Sequence, residues 1–150
     1  MAEKYFNRHQ AEDLLPMIVN HLDEARRHKR RIEELEGELS RATARVLMVG
    51  GSIPPYAELA INKAEREKSQ SQLIEAVRRI QETGCLVKDL DVGLVDFPTL
   101  LNDEEVYLCW KLGEERIRFW HRIDEGFAGR KPLQEIPPRE DLPPGKPRVQ

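Results

Sequence analysis

The stretch from Lys88 to Arg130, KDLDVGLVDFPTLLNDEEVYLCWKLGEERIRFWHRIDEGFAGR, decides what kind of fold this chain adopts. Before it, apolar residues recur at helical spacing; within it they alternate. CLVKDL (85–90) and VGLVDFP (92–98) are short, rich in branched residues and bounded by turn formers, as strands are. EVYLCWKL (105–112) followed by ERIRFWHR (115–122) reads as a hairpin turning at Gly113 and Glu114. Alternation places Val106, Leu108, Trp110 and Leu112 on one face. A loop of two or four residues puts Ile117, Phe119 and His121 on that same face. Tyr107, Cys109, Arg118 and Trp120 then line the other face, which is unusually aromatic for a solvated surface.

Upstream the reading is helical. Asn7 and Gln10 have the spacing of a reciprocal helix cap, with Phe6 as its apolar partner, so a short helix is expected over 7–15. Pro16 lacks an amide proton, which predicts either a kink or the first turn of a new helix running to about Val49. Leu14, Ile18, His21, Ala25, His28, Ile32, Leu35, Leu39, Ala42 and Val46 recur at steps of four and three, a seam of the coiled-coil kind. Gly50, Gly51, Ser52, Pro54 and Pro55 stop one helix and start another. The second helix is expected over Tyr56–Thr83, with Leu59, Leu73, Val77 and Ile80 on its seam and Gly84 as its exit. At 1.5 Å of rise per residue the first long helix spans roughly 50 Å, beyond the ~30 Å of a small domain. The distal half of the hairpin must therefore protrude or find a partner; its seam still carries Leu35, Leu39, Ala42 and Val46, so a second copy of the chain is the simplest partner and a homodimer is expected.

These elements make an α+β fold: a long antiparallel helical hairpin (7–84) packed on a small, mostly antiparallel β-rich part (85–133) of about four strands. The whole forms one domain over 1–133. Residues 134–150, with Pro137, Pro138, Pro143, Pro144 and Pro147, are expected to form an extended or disordered tail.

Composition narrows the function. Charged residues are 34% of the chain and hydrophobic ones 39%, with a net charge of −3, so no field of one sign exists to gather nucleic acid or anionic lipid. The basic run Arg26–Arg31 is answered by Glu33, Glu34, Glu36 and Glu38 at helical spacing, as on a solvated face. No segment reaches the ~20 apolar residues needed to span a bilayer, and the N-terminus has no apolar leader core, so no membrane role and a cytoplasmic location are expected. Cys85 and Cys109 are too few to staple a secreted scaffold. Nucleophile-elbow, phosphate-loop and HExxH patterns are all absent, and no reaction is indicated.

Six of the nine aromatics lie between Lys88 and Arg130, alongside a histidine, a cysteine and several carboxylates, so a binding site is best sought there. Asp89, Asp96, Glu114 and His121 supply the donor types that a divalent metal ion requires, and Cys109 is a further donor. Their spacing follows no established metal motif. Each also has an ordinary reading: a buried ion pair with Lys88 or Arg130 for the aspartates, a satisfied core histidine for His121, a small buried hydrophobe for Cys109, a solvated turn for Glu114. Arg130, in EGFAGR, is the candidate anion-binding group, its glycines opening the backbone or simply making a turn. The leading expectation is divalent-metal or small-anion binding by the β-rich half. Its rivals are a homodimeric protein-interaction module, using the hairpin and the aromatic strand face, and a metal-dependent hydrolase, which needs an open coordination position beside a base.

VKDLDVGLVDFP (87–98), VYLCWKLGE (106–114), FWH (119–121) and GFAGR (126–130), with AEDLLP (11–16) near the start, resemble a bacterial family known as domain of unknown function 2203. The likeness extends to about Leu133, and its second half is the specific part. The family has no established activity. What the resemblance implies is metal binding, a label its members have carried provisionally, with Asp89, Asp96, Glu114, His121 and Arg130 as the family-like polar positions.

Overall fold

The computed structural model describes residues 4–50 and 53–133, which leaves the expected tail at 134–150 outside the described residues. Helix α1 runs without a break over Arg8–Val49 and α2 over Tyr56–Gln81. The reciprocal cap forms: the Asn7 amide donates to Gln10 Oε1 at 3.0 Å and the Gln10 amide to Asn7 Oδ1 at 2.7 Å. A separate helix over 7–15 does not. Pro16 sits inside α1, where its missing amide forfeits the bond to the Glu12 carbonyl. Burial of Leu15 and Ile18 on either side offsets that loss and carries the helix through.

The chain divides into two compact units. In the unit Asp23–Ala76, the two helices pair antiparallel. Leu35 and Ala42 are buried there, so much of the α1 seam is covered by α2 of the same chain. The middle of α2, KAEREKSQSQ (63–72), is polar, yet the helix keeps a seam there, with Asn62 and Ser69 buried. Asn62 Nδ2 donates to the Leu35 carbonyl at 2.8 Å, and its Oδ1 accepts from Arg66 Nε at 2.7 Å. A buried amide satisfied in this way fixes the register of the pair.

The other unit, whose described residues are 4–22 and 77–133, holds the sheet. Five antiparallel strands follow one another in space as in sequence: β1 (Leu86–Asp89), β2 (Leu94–Leu101), β3 (Glu104–Lys111), β4 (Phe119–Arg122) and β5 (Lys131–Pro132). The fifth strand lies where the sequence marks the end of the β-rich part. Between β2 and β3, Asn102 and Asp103 both take positive φ, 51° and 67°, the two-residue turn whose twist suits a hairpin. Gly93, at φ 72°, leads into β2, and a Cβ there would lie 2.5 Å from Leu112 Cβ.

Register is where structure and expectation part. β3 and β4 pair Tyr107 with His121, Leu108 with Trp120 and Cys109 with Phe119. His121 and Phe119 therefore share a face with Tyr107 and Cys109, and Trp120 joins Leu108: the reverse of the expected assignment. A loop longer by one residue flips every side chain of the returning strand. The strand does not begin at Glu115, because Ile117 is pulled out of the ladder into the core. It is buried, and its amide donates to Glu12 Oε2 on α1 at 3.0 Å.

The sheet thus has two distinct faces. Val95, Phe97, Val106, Leu108, Trp110 and Trp120 form one, in a single apolar cluster with Ala11, Leu15, Ile18 and Leu22 of α1. Asp96, Tyr107, Cys109, Phe119 and His121 form the other.

Candidate metal centre

Asp96 on β2 lies directly across from Cys109 on β3, and His121 on β4 sits one residue pair further along the same face. Alternation and the observed register therefore gather an acid, a thiol and an imidazole from three neighbouring strands. One donor atom of each lies within 4.8 Å of the other two. All three residues are deeply buried, Asp96 at 1%, Cys109 at 0% and His121 at 3% exposure.

Both ring nitrogens of His121 face acceptors, and the Cys109 thiol faces Asp96. His121 Nε2 lies 3.1 and 3.0 Å from the two oxygens of Asp96, while its Nδ1 lies 2.7 Å from the Arg122 carbonyl. An imidazole flanked by acceptors on both nitrogens is best satisfied when doubly protonated. Burial opposes that charge, but the hydrogen bonds to Asp96 and Arg122 and the charge of Asp96 prevail, so His121 is held above its ordinary pKa. The Cys109 thiol is pushed up to about 12, first by burial and then by the neighbouring Asp96 charge. It keeps its proton, and its hydrogen bond with Asp96 stabilises that form. Tyr107 meets the His121 ring edge-on at a centroid distance of 5.5 Å.

The other residues singled out in the sequence lie outside this donor group. Glu114 spans the β3–β4 loop: its carboxylate accepts from the Lys111 amide at 2.8 Å and from Arg130 Nη2 at 2.8 and 2.9 Å. Its carbonyl accepts from Trp110 Nε1 at 2.8 Å, which helps hold the loop at its observed length. Asp89 turns outward, with Oδ1 accepting from the amides of Asp91 and Val92 in the β1–β2 turn. Arg130 stacks on Phe119 at 4.0 Å and on Phe127 at 4.6 Å, and Nη2 also reaches the Cys109 carbonyl at 3.5 Å. Guanidinium and rings thereby cover the polar face, with Lys88 placed over Tyr107 at 4.7 Å. That face is not an open aromatic surface.

Cys109, only a further donor in the sequence, completes the group in place of Glu114 and Asp89. Its spacing carries no motif, and a buried cysteine is most often a small hydrophobe. The signal that could have found it was parity, since His121 shares a face with Cys109 only if the second hairpin's loop has an odd number of residues.

Three donors of this kind could hold a metal ion. Carboxylate, thiolate and imidazole are all ligands of zinc-type ions, and the bond from Nδ1–H to a backbone carbonyl is the usual support for a histidine that coordinates through Nε2. Tetrahedral coordination with bonds of about 2.0–2.3 Å separates ligand atoms by roughly 3.3–3.7 Å. The 3.0 Å between Nε2 and Asp96 Oδ2 is within a few tenths of an ångström of that range.

Among the described residues no helix is long and apolar enough to cross a membrane. Comparison with curated proteins and with solved structures gave no match. The family model described as "Uncharacterized conserved protein (DUF2203)" matches residues 4–133, which takes in both helices, the sheet and the whole donor group, and the chain belongs to that family.

Proposed function

We propose that this protein binds one divalent transition-metal ion, zinc being the best suited, through Asp96, Cys109 and His121. The convergence of their donor atoms within 4.8 Å, on a face closed to solvent, carries the reading. Charge supports it. With Asp96 ionised, His121 doubly protonated and Cys109 a thiol, the group is neutral; with a divalent ion, a thiolate and a neutral imidazole it is neutral again. The ion takes the place of two protons, and the buried face never carries an uncompensated charge. A bound ion would act as a Lewis acid towards whatever occupies its remaining position.

Metal analysis of protein purified without an affinity tag, loaded with zinc and then dialysed, should find one equivalent in the native chain. Cys109→Ser and His121→Ala should retain little. With cobalt in place of zinc, a thiolate-to-metal charge-transfer band should appear and vanish in Cys109→Ser. A native chain that takes up neither ion would reduce the group to a structural ion pair.

A second copy of the chain remains the partner of choice, for a reason other than the seam. Leu47, Met48, Val49, Ile53 and Tyr56, around the turn between the helices, are each more than two-thirds exposed. Light scattering that reports only monomer at high concentration would oppose this assembly.

A further inference from the structure

The arginine that covers the donor group is itself only half used. Arg130 gives both Glu114 oxygens a single nitrogen, Nη2, instead of the side-on fork in which two nitrogens are engaged. Its Nε is buried and has no hydrogen-bond partner among the described residues. A desolvated donor on a cation costs more than a neutral one when left unmet, so an acceptor belongs there. A second cation stands on the same ring. Lys111 Nζ lies 5.6 Å from the centroid of Phe127, where Arg130 Cζ lies at 4.6 Å, and Lys111 makes no ion pair among the described residues. Two positive groups thus share one aromatic plate with one carboxylate, Glu114, leaving an excess of one positive charge. Phe127 is 44% exposed, so the plate can be approached from solvent. The loop amides do not contribute: those of Gly129 and Arg130 donate to the carbonyls of Gly126 and Phe127.

We propose that this edge of the molecule holds a small oxyanion, a phosphate or carboxylate group, gripped by Arg130 Nε–H and by the Lys111 ammonium over the ring of Phe127. The Nε–H supplies direction, and Lys111 supplies charge from a flexible stem. The subsite uses none of Asp96, Cys109 and His121, so it stands or falls apart from the metal reading.

The test is calorimetric titration of chelator-treated protein with inorganic phosphate and, separately, with acetate. At least one should bind the native chain. Arg130→Gln and Lys111→Gln should each weaken binding about tenfold, equivalent to ~1.4 kcal/mol. Glu114→Gln, which removes the competing carboxylate, should strengthen it. Should Arg130→Gln fail to fold, Lys111→Gln, at a partly exposed site, decides the matter. Absence of binding by both anions, or undiminished binding in Lys111→Gln, would overturn the proposal.

Discussion

The two faces of the sheet are built from alternate residues of the same strands, yet they hold together by different physics. On one, Phe97 is fully buried among side chains of α1 and meets Phe6 edge-on at 5.5 Å. On the other, its neighbour Asp96 is equally buried but bonded to His121. Antiparallel sheets commonly keep one face wet; here the second face is closed by Arg130, Phe119 and Lys88 instead. The apolar face is stabilised by area removed from water and is indifferent to pH. The polar face holds charge in a dry place, and its contribution depends on who carries the protons.

Substitutions at adjacent positions should separate the two. Phe97→Ala should cost about 3–5 kcal/mol in urea unfolding, the usual loss for a deleted core ring, with the same value at pH 5.5 and 8.5. Asp96→Ala should cost about 3 kcal/mol near pH 5.5, because it strands a buried imidazolium, and visibly less at pH 8.5, where the ring can be neutral. Equal pH profiles for the two variants would erase the distinction drawn between the faces. Gly93→Ala, at the head of β2, should cost about 1–3 kcal/mol through its positive φ and its clash with Leu112, disturbing both faces alike.

In the native chain the pH effect is smaller and opposite in sign for stability and for metal affinity. His121 is raised above its ordinary value, so its stabilisation is fully present below about pH 6.5 and is lost as pH climbs through the folded value. Metal-free protein should therefore lose at most ~1.4 kcal/mol per pH unit across that window. Zinc affinity should rise over the same window, because binding displaces the His121 and Cys109 protons, and calorimetry in buffers of differing ionisation enthalpy should count nearly two released per ion. The smallest effect is expected far from either face: Asp103→Gly relieves a positive-φ residue in the β2–β3 turn and should stabilise by about 0.5 kcal/mol.

Much of the scaffold was legible from the residues. The cap at Asn7, the seam of α1, the stop at Gly50 and the alternation of β3 are local patterns, and local patterns survive folding. The separate helix expected over 7–15 does not form, because helix propensity at Pro16 ignores the burial of its neighbours, Leu15 and Ile18. Asn62 and Ser69 were invisible as a seam because a hydrophobic pattern cannot show polar residues facing inward. Within the candidate site, Asp96 and His121 stood out as acid and imidazole in apolar strands. Asp89 did so for the same reason and Glu114 as a carboxylate in the turn, although Glu114 is engaged by Arg130 and Asp89 caps its own turn.

By itself, the order of residues determined that two long helices precede a run of short antiparallel strands, and which side chains share a face within each strand. Only the tertiary structure decided which face of β4 meets which face of β3. That choice depends on the length of one loop, fixed by Ile117 entering the core against α1 and by Trp110 and Arg130 holding Glu114. Register is a relation between strands, and no periodicity within a single strand contains it.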